Sequence, residues 1–212
     1  MIDNTQLAAL VASRICHDMV EPMNALIQGL DMLKHAENGK IDQDALSLID
    51  HGVAKSWAKL EFFRFAIAGA MTDGDSALEE GRDVALKLYG ELKADLSWKA
   101  PSVAMPRRAV RVMLNLLFIA NDCLPRGGTV EVTAEPSGGA GEVHIVATGA
   151  RAMLKPATRA ALKGELDAAE LSGHSIQPFL TGQLAKEIGV EISIEEAEER
   201  ITINARSSAF KL

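Results

Sequence analysis

The chain has 212 residues, 48% of them apolar and 24% charged, with a formal net charge of −7. That length holds one large domain or two modest ones with true cores. Acidity without a Lys/Arg run excludes a protein that tracks a nucleic-acid backbone, and two cysteines are too few for a disulfide framework or metal cluster.

From the N-terminus, "MIDNTQLAAL" lacks a basic stretch ahead of an apolar core, so no secretory signal is read. The strongest apolar run, "VMLNLLFIA" (112–120), is short and broken by Asn115, so no membrane span is expected. Together with the sparse cysteines this predicts a reduced, cytoplasmic setting. Leu7, Leu10, Val11, Ile15, Met19, Leu26, Leu30 and Leu33 recur at helical spacing and predict a first long helix. Asn38 and Gly39 provide its stop signal. Asp42 is placed to cap a second helix, whose stripe runs through Leu46, Ile49, Val53, Trp57, Leu60, Phe63, Ile67 and Met71. A short connection makes the two antiparallel. One hairpin cannot bury so wide a stripe, so residues 1–73 predict a homodimer through a four-helix bundle. Coverage of the hairpin by the C-terminal half of the same chain is the alternative.

"MTDGDS" (71–76) reads as a turn-rich linker. Beyond it, residues 77–212 predict a helix near 77–90, a strand at 94–100 and an apolar helix from Pro106 to about Asp122. "GGTVEVTAEP" and "GEVHIVATG" alternate with period two around "SGGAG", a hairpin signal. Helices follow near 156–162 and 175–188, and "VEISIEEAEERITINA" closes the chain as a second alternating pair. The fold class is therefore α + α/β: a helical hairpin followed by an α/β sandwich with a mostly antiparallel sheet.

Within the first helix, "ICHDMVEP" (15–22) stands apart. At about 100° per residue, His17 lies about 160° from both Ile15 and Met19 and should face solvent. Arg14 and Glu21 share its face. Asp18 is about 100° round and meets the imidazole only in particular rotamers. An acid that takes the proton of one ring nitrogen leaves the other as a free lone pair, the state of a nucleophilic histidine. Pro22 donates no hydrogen bond and crowds the Asp18 carbonyl, at about 3 kcal/mol or more unless offset. Counting back from the hairpin tip puts the level facing His17 near residue 62, where Arg64 stands among aromatics. His35, His51, His144 and His174 lack partners at ligand spacing and read as structural. Cys16 reads as a small apolar helix residue.

His17-Asp18-x-x-Glu21-Pro22 resembles the H-box of sensor histidine kinases, and the order of hairpin then α/β domain resembles theirs. The nucleotide motifs of those kinases do not follow. Asn115 matches the first asparagine of the N-box, but Ile119 stands where the second would hold magnesium. Ala147 occupies the place of the adenine-reading aspartate in "IVATGARA", and "LSGHSIQPFL" lacks a paired glycine cradle. "SRICHDMVEPMNAL", "FFRFAIAGA" and "IQPFLTGQLAKEIG" are similar to stretches of the ChpT-type histidine phosphotransferases of alphaproteobacteria.

That resemblance implies a homodimer with a kinase-like body that binds no ATP and acts in a cell-cycle phosphorelay. His17 would accept a phosphoryl group from the receiver domain of a hybrid histidine kinase and pass it to receivers of response regulators. Asp18 would orient the imidazole, with Arg14 and Arg64 as candidates for neutralising the phosphoryl oxygens. Glu21, Pro22 and Asn24 would meet the docked receiver. Glu21 departs from the family's usual small polar residue and is expected to need neutralisation by Arg14. No cofactor is expected in this chain, and Mg2+ would come with the receiver. The alternatives are a divergent ATP-dependent kinase and a non-catalytic receiver-binding scaffold.

Overall fold

Helix α1 (Asn4–Lys34) starts where Asp3 accepts the Gln6 backbone N–H at 2.8 Å. Helix α2 (Gln43–Ala66) starts at the predicted cap, Asp42, which accepts from the amides of Asp44 and Ala45. This computed structural model describes residues 2–35, 42–67, 75–137, 140–208 and 210. The predicted stop at Asn38–Gly39, the stripe's last residue Met71, residues 71–74 of the linker and the centre of "SGGAG" lie outside the described residues.

The seam between α1 and α2 is made of small residues. Pro22, Gly29, Ala45, Gly52 and Ser56 are buried there. A Cβ on Gly29 would lie 2.6 Å from Ile49 Cγ1 and 2.8 Å from the Ala45 carbonyl, and one on Gly52 would lie 3.0 Å from the Pro22 carbonyl. The helices thus meet almost backbone to backbone. This corrects the expected stripe. Leu30, Val53, Trp57 and Leu60 face outward with Val20 and Ile27, and Ile27 and Trp57 are 63% and 60% exposed. Large side chains cannot enter a seam this close, so they fill the outer face.

The second unit opens with β1 (Asp75–Ala77), α3 (Leu78–Tyr89), β2 (Ala94–Trp98) and β3 (Ala104–Pro106). Strands β1 and β3 pair antiparallel, so residues 75 and 76 belong to a small sheet and not to the predicted linker. Helix α4 (Arg107–Asp122) begins one residue after the predicted Pro106, which stands at the N-cap position without a capping hydrogen bond. The two predicted hairpins are β4 (Gly128–Ser137) with β5 (Ala140–Thr148), and β6 (Glu191–Ala197) with β7 (Arg200–Ser207). Helices α5 (Pro156–Lys163) and α6 (Ile176–Glu187) lie between them in sequence.

The main sheet runs β2-β4-β5-β7-β6, with only the β2–β4 pair parallel. Its inward row, Val132–Ile145–Ile203, is in register and fully buried. Helix α4 is buried from Ala109 to Ala120 in the same core. Phe62, Phe63 and Phe65 of α2 join that core, so hairpin and sandwich share one interior. The end of α2 is tied down by α4: Arg111 Nη2 donates to the Ile67 carbonyl at 2.9 Å and Asn115 Nδ2 to the Ala66 carbonyl at 3.0 Å. These are carbonyls that a helix end leaves without partners. Among the described residues no helix is long and apolar enough to cross a membrane.

Candidate functional site

Proline in mid-helix leaves the carbonyl four residues back without its usual donor. That carbonyl belongs to Asp18, and Lys59 Nζ of α2 donates to it at 2.8 Å. Helix α1 therefore continues through Pro22 as one element. The same ammonium lies 3.5 Å from Glu21 Oε2, and Lys55 Nζ donates to Glu21 Oε1 at 2.8 Å. The Lys55 hydrogen bond, with the charge of both lysines, holds the Glu21 carboxyl below its ordinary value against a smaller upward push from desolvation. Neutralisation of Glu21 thus falls to Lys55 and Lys59, not to Arg14 as expected.

One turn earlier, the His17 side chain is exposed, as its place on the helix predicted, and its Nδ1 lies 3.3 Å from Asp18 Oδ1. An ionised carboxylate only accepts, so Nδ1 carries the proton and Nε2 keeps its lone pair. Asp18 is largely buried. Its other oxygen meets Arg14 Nε at 2.8 Å, off the N–H axis, so the contact is an ion pair more than a hydrogen bond.

Arg14 itself is buried, a correction to its expected place beside the incoming phosphoryl group. A long side chain ends far from its Cα. Here the guanidinium lies over the Phe118 ring at 5.6 Å, 3.7 Å from Asp122 Oδ2, and Nη1 donates to His174 Nδ1 at 3.2 Å. His174, read from sequence as structural, also meets the His17 ring edge-on with centroids 5.2 Å apart. It stands 157 positions from His17 (174 − 17), and nothing local in the sequence marks it.

A groove of about 520 Å³ runs along α1 between His17, Val20, Glu21, Asn24, Ala25 and Gln28. It brings together three of the predicted positions, His17, Glu21 and Asn24. Pro22 is buried at the seam, so it shapes the helix and offers nothing to a partner, contrary to its expected role. Arg64 is exposed and makes no ion pair among the described residues. It stands five residues beyond Lys59, about 7.5 Å further along the axis and about 140° round, so it does not join this cluster. The count from the hairpin tip landed three residues past Lys59. A search for a donor to the carbonyl freed by Pro22 would have found it.

The residues compared with nucleotide motifs are built into the core. Asn115 Oδ1 accepts from Gln177 Nε2 at 3.0 Å while its Nδ2 caps α2. Ile119 and Ala147 are fully buried. A cavity of about 30 Å³ lies between Arg14, Ile119, Asp122, Lys155 and His174, and one of about 610 Å³ lined by Asn115, Arg111 and Leu180 opens between α1, α4 and α6.

A family model for the histidine phosphotransferase C-terminal domain matches residues 78–200, more than half of the chain. The chain is 33% identical over 200 residues to the protein phosphotransferase ChpT of Brucella abortus (strain 2308), covering 94% of both. Among solved structures, a bacterial phosphotransferase superposes with a TM-score of 0.85 at 31% identity, over 97% of this chain and 98% of that one. The histidine kinase AdeS of Acinetobacter baumannii shares the fold, with a TM-score of 0.51 at 13% identity, over 92% and 98% of the two chains.

Proposed function

Because the chain belongs to the histidine phosphotransferase family, we propose that His17 is its phosphoryl carrier, relaying between aspartates of receiver domains without ATP. The observation that carries this reading is the His17 imidazole: open to solvent, with Nδ1 turned to an arginine-held carboxylate. Its Nε2 lone pair attacks the phosphorus of a receiver's aspartyl phosphate in line. The P–O bond to the aspartate breaks and the carboxylate leaves with the electron pair. The proton stays on Nδ1, facing Asp18. The reverse displacement, by the carboxylate of a second receiver on the same phosphorus, returns His17 to its starting state. Little covalent work falls to the protein, so positioning and charge neutralisation set the rate.

The donor would be a hybrid histidine kinase and the acceptors response regulators, each bringing Mg2+ in its own acidic pocket, in a cytoplasmic setting. Docking in the groove beside His17 places a receiver against Glu21 and Asn24. The outward row Val20, Ile27, Val53 and Trp57 supports a homodimer through a four-helix bundle, since a row of that kind on one hairpin asks for a second. Ile119 in place of a magnesium-holding asparagine and Ala147 in place of an adenine-reading aspartate, both buried, support a chain that does not use ATP.

The test supplies label from two sources. A receiver carrying labelled aspartyl phosphate should label wild type and not His17→Ala, while labelled ATP with Mg2+ should label neither. Label from ATP alone returns the chain to the kinases, and binding of receivers without transfer makes it a scaffold.

A further inference from the structure

We infer that His174 is a positioning residue for phosphotransfer: through Arg14 it holds Asp18, and through Asp18 the reactive tautomer of His17. This rests on His17 as phosphoryl carrier. Three contacts form the chain of control. His174 Nδ1 accepts from Arg14 Nη1 at 3.2 Å, Arg14 Nε meets Asp18 Oδ2 at 2.8 Å, and Asp18 Oδ1 faces His17 Nδ1 at 3.3 Å. The edge-on contact of the two imidazoles, with centroids 5.2 Å apart, closes the ring.

Each member constrains the next. Asp18 neighbours His17 in sequence and reaches its Nδ1 only in a restricted rotamer. Arg14 selects that rotamer by holding the second oxygen. A guanidinium has no acceptor, so His174 Nδ1 must be unprotonated to receive it, and its proton sits on Nε2. The loop bearing His174 lies against α1, where a Cβ on Gly173 would lie 3.9 Å from Ser13 Oγ, an ordinary contact distance. The sandwich thus supplies a side chain to the site on the hairpin.

A protonated His174 would present a donor and a positive charge to Arg14, so the contact requires the neutral ring. The ionisable groups around His174 are His17 and Arg14 on α1, Asp122 at the end of α4 and Lys155 ahead of α5. Asp122 is 3.7 Å from Arg14 and stays its partner, beside Asp18, when His174 is lost.

The experiment uses the full chain as wild type, His174→Ala, His174→Gln and His17→Ala. Single-turnover transfer from a receiver carrying labelled aspartyl phosphate is followed at about pH 7.5. Glutamine keeps an oxygen acceptor for Arg14. His174→Ala should transfer about tenfold more slowly than wild type. His174→Gln should stay near wild type. In 15N spectra of the histidine rings, without any receiver, His17 should be fixed with its proton on Nδ1 in wild type and His174→Gln and drift toward mixed tautomers in His174→Ala. A His174→Ala rate within twofold of wild type, an unchanged His17 tautomer, or His174→Gln as slow as His174→Ala would overturn the inference. Label on His17→Ala would instead sink the phosphoryl-carrier reading itself.

Discussion

Lys59 Nζ donates at 2.8 Å to the Asp18 carbonyl, the acceptor that Pro22 deprives of its intrahelical donor. Lysine and proline thus answer one another across the hairpin. The proline opens a carbonyl beside the proposed phosphoryl carrier, and a buried ammonium closes it while also contacting Glu21. Lys59→Met should destabilise the chain by about 2 kcal/mol, because a charged hydrogen bond is lost and a carbonyl is left unpaired. Pro22→Ala restores the N–H, so the double variant should recover much of that loss. Urea unfolding of the four proteins measures the coupling, and purely additive effects would rule out the pairing.

Seam glycines set the distance between the helices. Gly29→Ala forces a methyl against Ile49 Cγ1 and the Ala45 carbonyl, at 2.6 and 2.8 Å. The second of these is backbone and cannot swing away. A loss of about 1–3 kcal/mol is expected in denaturant unfolding, and more for Gly29→Val.

Trp57 and Ile27 are exposed on the outer face of the hairpin. Trp57→Glu places a charge in the proposed bundle seam and should yield a folded monomer by sedimentation, where wild type sediments as a dimer. A monomeric wild type at micromolar concentration would remove the four-helix bundle.

The two thiols should behave oppositely. Cys123 is buried, and burial first, then the charge of Asp122, pushes its thiol up to about 12. Cys16 is exposed. At pH 8 a thiol reagent should titrate Cys16 in the native protein and Cys123 only on unfolding. The linkage runs downward with alkali. Above about pH 8.5 the unfolded thiol ionises while the folded one does not, so Cys123 withdraws stability as pH rises toward 12. Cys123→Ala should flatten that part of the stability curve.

Much of this fold was legible because its signals are local. Period-two alternation located both hairpins of the main sheet, helical spacing located α1 and α2, and an apolar run after Pro106 located α4. The three-residue strands β1 and β3 pair across a gap in sequence and leave no periodic trace. In the hairpin, apolar spacing marked the stripe without saying which face the partner helix takes, and the small residues took it. His17 and Asp18 were legible as neighbours in one helix. Arg14 was placed by its Cα, whereas its guanidinium goes to the sandwich. Lys59 and His174 come from other elements, and only the folded chain brings them to His17.

The central claim is that His17 Nε2 carries the phosphoryl group. The direct measurement mixes the chain with a receiver domain bearing aspartyl phosphate, with no ATP present, and locates the phosphoryl group by 31P resonance and peptide mapping. The account predicts an acid-labile N–P bond on the peptide containing residues 15–22, absent in His17→Gln. A phosphoryl group that stays on the receiver, or one that appears equally in His17→Gln, would contradict it.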